Sequence, residues 1–170
     1  MMTDTMTRQQ RHDCMAAIKG KDTKPEMLVR KYLFSRGLRF RLHDRRLPGS
    51  PDIVLPKYKA VVMVDGCFWH GHEGCRFYRL PRSNVEYWET KITRNKNRDI
   101  VNEDKLKQMG WRVIRVWECE IRKVSDRQET LERLYRRITS PFMQPSPYSI
   151  ETAPAVAAES SASYSPSDTL

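Results

Sequence analysis

Two apolar runs rich in β-branched residues, Ile53-Val54-Leu55 and Ala60-Val61-Val62-Met63-Val64, stand only four residues apart and constrain this chain more than any other feature. The second run is unbroken by a polar residue, which suits a central strand covered on both faces. Pro56-Lys57-Tyr58-Lys59 between them closes a hairpin, and Pro48-Gly49-Ser50-Pro51 forces a turn ahead of it. Asp52 therefore opens one strand and Asp65 ends the next, so two carboxylates can converge on one edge of a sheet.

The flanking segments read as elements able to cover that sheet. Asp22-Thr23 cap a helix with Pro25 near its first position, Glu26 in its first turn, Leu28, Tyr32 and Leu33 on one face and Gly37 as its stop. Leu38, Phe40 and Leu42 alternate with Arg39 and Arg41 as in a half-buried strand. A long helix is predicted from Ser83-Asn84 to Gly110, then a strand over residues 111–117. A last helix follows, opened by a Ser125/Gln128 capping box and carrying Leu131, Leu134 and Ile138.

The order α-β-β-β-α-β-α predicts an α/β fold: a single domain over residues 22–139 with a small mixed β-sheet flanked by helices. Residues 1–21, with Arg8, Arg11, Lys19 and Lys21, read as a flexible basic arm. Residues 140–170 are rich in Pro, Ser and Ala without any period. They read as a disordered tail, because they cannot bury enough apolar surface to offset chain entropy.

The 31 Lys and Arg against 21 Asp and Glu give a net charge of +10. The last thirty residues hold three acids and no base, so the first 140 carry +13. Such a charge gathers phosphate polyanions and predicts salt-sensitive binding, although a ribosome-associated or merely soluble basic protein would share it. No run approaches the roughly 18 apolar residues of a membrane helix, and the N-terminal stretch has no secretory apolar core, so a soluble intracellular protein is expected. In a reducing cytosol Cys14, Cys67, Cys75 and Cys119 are poor disulfide partners, which turns attention to metal.

Cys67-x4-His72-x2-Cys75 with the distant Cys119 offers three thiolates and an imidazole, the donor set of a closed tetrahedral zinc site. Asp52 and Asp65 offer hard oxygens, which suit Mg²⁺. His70 and His72 are two residues apart and can point opposite ways, so one can serve zinc while the other faces a phosphate. A histidine there titrates near neutral pH and can move a proton to or from water. Phe68 and Trp69 stand in a Gly-flanked, His-rich loop where core aromatics are unusual, and apolar wedges of this kind unstack a duplex. Lys91, Arg94, Asn95, Lys96 and Arg98 can grip phosphates or read bases from the long helix, with a solvated helix face as the alternative.

The Pro-Asp, hairpin and apolar strand resemble the core of the PD-(D/E)xK nucleases, with Glu26, Asp52 and Asp65 as the acids in matching positions. No acid-x-Lys follows the hairpin, however, so the usual lysine role must be filled otherwise. Pro48-Gly49-Ser50-Pro51-Asp52, the run Asp65 to Cys75, and Trp111-Arg112-Val113 with Val116-Trp117-Glu118-Cys119 together resemble the very-short-patch repair endonucleases, over about residues 5–138.

That resemblance implies a Mg-dependent endonuclease domain that nicks one strand 5′ of the thymine in a T:G mismatch left by deaminated 5-methylcytosine. It implies Mg²⁺ on Asp52 and the Val64 carbonyl, Glu26 reaching a metal through water, His70 as general base, and structural zinc on Cys67, His72, Cys75 and Cys119. Intercalating residues map onto Phe68 and Trp69, with Trp88 and Met15 as further wedges unless they serve core packing. Asp65 departs from the pattern, because some relatives carry a histidine there. The implied partners are mismatched double-stranded DNA, a companion cytosine methyltransferase and mismatch repair proteins, for a monomer working in the cytoplasm on the nucleoid. The alternatives are a restriction-type endonuclease of the same fold cutting unmodified duplex, or a non-catalytic zinc-containing DNA-binding protein.

Overall fold

The computed structural model describes residues 7–17 and 20–141, with the backbone alone at Arg8, Arg11, His12 and Cys14. The expected tail from residue 142 onward, and Lys19 of the expected arm, lie outside the described residues.

Helix α1 (Arg8–Ala16) stands within the segment read as an arm, closed at its start by a capping box between Thr7 and Gln10. Helix α2 (Lys24–Ser35) follows a second such box, between Thr23 and Glu26. Four strands come next in space: β1 (Arg41–Leu42), β2 (Ile53–Leu55), β3 (Ala60–Asp65) and β4 (Arg112–Trp117). They lie in the order β1-β2-β3-β4, with β1/β2 and β2/β3 antiparallel and β3/β4 parallel. The parallel pair requires a long crossover, which helix α3 (Val85–Gln108) supplies. Helices α4 (Glu118–Arg122) and α5 (Val124–Thr139) finish the domain.

The hairpin reading of residues 53–64 is correct, and β3 is covered on both faces. Val62 packs with Val29, Leu33, Ile114, Leu131, Leu134 and Ile138 under α2 and α5. Val61 packs on the opposite face with Val54 and Leu106 of α3, and both valines are fully buried. The strand expected over residues 38–42 pairs only at Arg41 and Leu42, because Leu38 turns into the main core instead of along a ladder.

The Ser125/Gln128 capping box does not form. The chain breaks helix for a single residue at Lys123 and re-enters it at Val124, so Ser125 lies inside α5 and its hydroxyl donates to Asp126. Arg127 instead satisfies the carbonyls at the break, donating to Ile121 at 2.8 Å and to Arg122 at 3.2 Å.

Strand direction decides where chemistry can gather. Since β2 runs against β3 and β4 runs with it, the start of β2 and the ends of β3 and β4 share one sheet edge. Asp52, Asp65 and the Glu118-Cys119 pair all emerge there.

Candidate active site

At that edge a cleft of about 1010 Å³ opens between the sheet, the start of α2 and the middle of α3, and Glu26, Asp52, Val64, Asp65, Trp69 and His70 line it. Asp52 Oδ2 accepts a hydrogen bond from the Val64 N–H at 2.7 Å. The N–H and C=O of an extended residue leave a strand on the same side, so this bond turns the Val64 carbonyl toward Asp52 as well. Burial pushes the Asp52 carboxyl up to about 6; the neighbouring acids Glu26 and Asp65 add to this, while the Val64 N–H and His43 oppose it. A carboxylate so raised, beside a carbonyl turned the same way, offers hard oxygens suited to a divalent cation.

Asp65, also buried, is held above the usual carboxylate range by desolvation, against the pull of His70 and Arg115. Its Oδ1 lies 3.7 Å from His70 Nε2. The other His70 nitrogen, Nδ1, sits 2.5 Å from Asp99 Oδ2, a residue of α3. Burial works to lower the His70 pKa, but the Asp99 bond and the Asp65 charge outweigh it and hold the ring above the ordinary histidine value. A histidine gripped at Nδ1 by a carboxylate, with Nε2 turned to a cleft, is oriented for proton transfer.

Asp99 was not anticipated from sequence, yet a signal for it exists. Asn95, Asp99 and Glu103 recur every fourth residue and so share one face of α3. Asn95 Nδ2 donates to the Trp69 carbonyl at 3.0 Å, Asp99 holds His70, and Glu103 accepts from Arg115 at 3.2 Å. Asn95 thus braces the loop that carries His70. Of the other α3 residues singled out, Lys96 pairs with Glu73, Lys91 lies over the Tyr87 ring, Arg98 sits 3.4 Å from Asp99 at the cleft, and Arg94 is exposed.

Glu26 is at the cleft wall with both oxygens engaged. It accepts from Thr23 at 2.8 Å, from the Asp22 N–H at 3.1 Å and from Arg30 Nη2 at 2.6 Å. His43, also unanticipated, joins this group to Asp52: its Nε2 is 2.8 Å from Arg30 Nη2 and its Nδ1 is 3.8 Å from Asp52 Oδ1. Asp22, Glu26 and His43 converge as metal donors do, but the Arg30 guanidinium already occupies the space among them.

Behind the His70 loop, one donor atom each from Cys67, His72, Cys75 and Cys119 lie within 4.8 Å of one another. Tetrahedral zinc with bonds of about 2.0–2.3 Å places its donors about 3.5–3.8 Å apart, and Cys119 Sγ to His72 Nδ1 is 3.5 Å. The set therefore fits zinc with a small contraction. Burial and the adjacent thiols push Cys119 up to about 12, a crowding that a divalent cation would reverse. His72 also stacks flat on Trp117, with centroids 4.0 Å apart. The loop's tight path needs Gly71, at φ 61°, where a Cβ would sit 2.9 Å from the buried Ile92 and 2.8 Å from Lys96.

Phe68, Trp69 and Trp88 form one edge-to-face aromatic cluster with centroids 5.1–6.0 Å apart, next to the His70 loop. Trp88 therefore joins the two loop aromatics from α3. Met15 is exposed on α1 and is not among the residues lining the cleft.

A profile of the DNA mismatch endonuclease Vsr family matches residues 3–76. The type II nicking enzyme V.NmeAIP of Neisseria meningitidis is 50% identical over 137 residues, which span 81% of this chain and 97% of that one. The chain belongs to the Vsr endonuclease family. The DNA mismatch endonuclease Vsr of Escherichia coli is 40% identical over 136 residues, 78% of this chain and 86% of that one. A type II nicking enzyme of Xanthomonas oryzae, V.XorIIP, is 46% identical over 140 residues, 82% of this chain and 99% of its own. As a Vsr-family protein this is a DNA-acting nuclease. Among the described residues, no helix is long and apolar enough to cross a membrane.

Proposed function

We propose that the protein nicks one strand of duplex DNA on the 5′ side of the thymine in a T:G mismatch, the lesion left when 5-methylcytosine deaminates. The observation that carries this reading is the His70–Asp99 pair, set on the same cleft as Asp52 and joined by its own loop to the aromatic cluster. Proton transfer, phosphate binding and duplex opening are thereby supplied by adjacent residues.

In this mechanism Phe68, Trp69 and Trp88 enter the base stack at the mispair, where unstacking costs least. Asp99 keeps the Nδ1 proton of His70 in place, which leaves Nε2 to take a proton from the attacking water. Asp52 and the Val64 carbonyl would hold Mg²⁺, which when bound would neutralise charge at the phosphate and lower the pKa of water. Glu26 acts on Asp52 through charge, since its oxygens are already bonded to Thr23, Asp22 and Arg30. Cys67, His72, Cys75 and Cys119 would hold zinc, which when bound would tie the His70 loop to the end of β4. The enzyme works as a monomer on the nucleoid, beside a cytosine methyltransferase and mismatch repair proteins.

A cleavage panel tests this: each of the possible mismatches, and the matched pair, in several methyltransferase recognition contexts with Mg²⁺. Preferential nicking at T:G supports the proposal. Equal cleavage of matched and mismatched duplexes points to a restriction-type nuclease, and no cleavage by intact protein points to a binder.

A further inference from the structure

Asp65 has no task in the mechanism above, and its neighbours supply one. Its Oδ2 makes no hydrogen bond but lies 3.2 Å from Arg115 Nε. Arg115 comes from β4 in register with Met63, and its Nη2 donates to Glu103 of α3 at 3.2 Å. Its guanidinium carbon also sits 5.5 Å from the Trp117 ring centroid. The guanidinium is thus fixed by two carboxylates from two elements at 27% exposure, and Nη1 has no partner among the described residues.

The setting makes this cation unusual. The cleft is walled by Asp52, Asp65, Asp99, Glu103 and Glu118, all acids, although a phosphodiester anion must enter it. The other lining cations, Lys21, Lys24 and Arg98, are exposed on loop and helix surfaces, whereas Arg115 projects from the sheet itself. A planar guanidinium already oriented by two partners loses little further entropy on gripping a phosphate, and its remaining N–H donors match phosphate oxygens.

We propose that Arg115 is a catalytic residue that grips a phosphate oxygen of the strand being cut, and that Asp65 is the positioning residue that aims it. The proposal rests on the nicking reading above. Asp65 then links the two working groups of the cleft, with one oxygen toward His70 and the other toward Arg115.

The test compares the zinc-loaded wild type with Arg115→Met and Asp65→Asn, using a T:G duplex as probe. Each phosphate contact adds about 0.9 to the slope of log affinity against log salt. Arg115→Met should therefore bind with a slope shallower by about that amount, and cut on the order of 100-fold more slowly in single turnover. Asp65→Asn leaves the cation present but unaimed; it should keep the wild-type slope and still lose cleavage rate at saturating enzyme. Should Arg115→Met fail to fold, phenylglyoxal labelling of wild-type protein decides: bound duplex should protect Arg115 several-fold by mass spectrometry. An unchanged salt slope in folded Arg115→Met, or labelling of Arg115 indifferent to duplex, overturns the role of Arg115. A wild-type rate in Asp65→Asn overturns that of Asp65. If the wild type binds but cuts nothing, the nicking reading fails, while slope and protection still report whether Arg115 meets phosphate.

Discussion

Replacing Asp52 with Asn should abolish cleavage and yet stabilise the Mg-free protein. Burial raises the Asp52 carboxyl from 3.8 to about 6. That is about 2 pH units, and at about 1.4 kcal/mol per unit the ionised form costs the fold about 3 kcal/mol. Asparagine removes the charge but makes a weaker acceptor for the Val64 N–H, which takes back about 1 kcal/mol. A net gain of about 2 kcal/mol remains. The sign follows from linkage: a carboxyl whose pKa is higher when folded contributes stability below its unfolded value, and loses it as pH rises through about 6. The variant should therefore be about 1 kcal/mol less stable than the wild type below pH 3.8, overtake it between about 4 and 6, and keep a constant gap above. Urea unfolding across that range, in zinc-replete buffer without Mg²⁺, measures the gap. Added Mg²⁺ should then stabilise the wild type alone. A variant less stable than wild type at pH 7.5, or a gap that does not close toward pH 4, would show that burial of the ionised Asp52 carboxylate does not cost the fold this energy.

Three further outcomes follow from the site. Asp99→Asn removes the partner that raises His70, so the rising limb of the single-turnover pH–rate profile should move to lower pH while the rate on the plateau falls by about 100-fold. Gly71→Ala combines a left-handed backbone with a clash against buried Ile92, and should lower unfolding free energy by about 2 kcal/mol in chemical denaturation. Cys75→Ser should lose bound zinc by metal analysis and expose residues 66–78 to proteolysis, since the four donors join that loop to the end of β4.

The fold was legible where the sequence carries a strong local signal. The unbroken run from Ala60 to Val64 predicted a strand buried on both faces, and Val61 and Val62 do pack on opposite cores. Thr23 with Glu26, and Gly110, marked true helix ends. The Ser125/Gln128 box failed because the sequence does not reveal the one-residue break at Lys123, where Arg127 satisfies the carbonyls of Ile121 and Arg122. For the site, spacing brought out Asp52 and the soft donors, while the family resemblance separated the roles of His70 and His72. Asp99, His43 and Arg115 escaped because their roles depend on which elements meet in space. Asp99 is an ordinary acid on a charged helix until the β3–α3–β4 crossover brings it to His70. Arg115 is a polar residue on a strand until Asp65 and Glu103 fix it in the cleft.

Strand-resolved cleavage of a T:G duplex labelled on either strand, with zinc-loaded protein and Mg²⁺, run beside Asp52→Asn and His70→Ala, tests the nicking activity most directly. One break is expected, in the thymine strand immediately 5′ of the mispaired base, absent in both variants at equal duplex binding. Breaks in both strands, equal cutting of the matched duplex, or wild-type cleavage by either variant would contradict it.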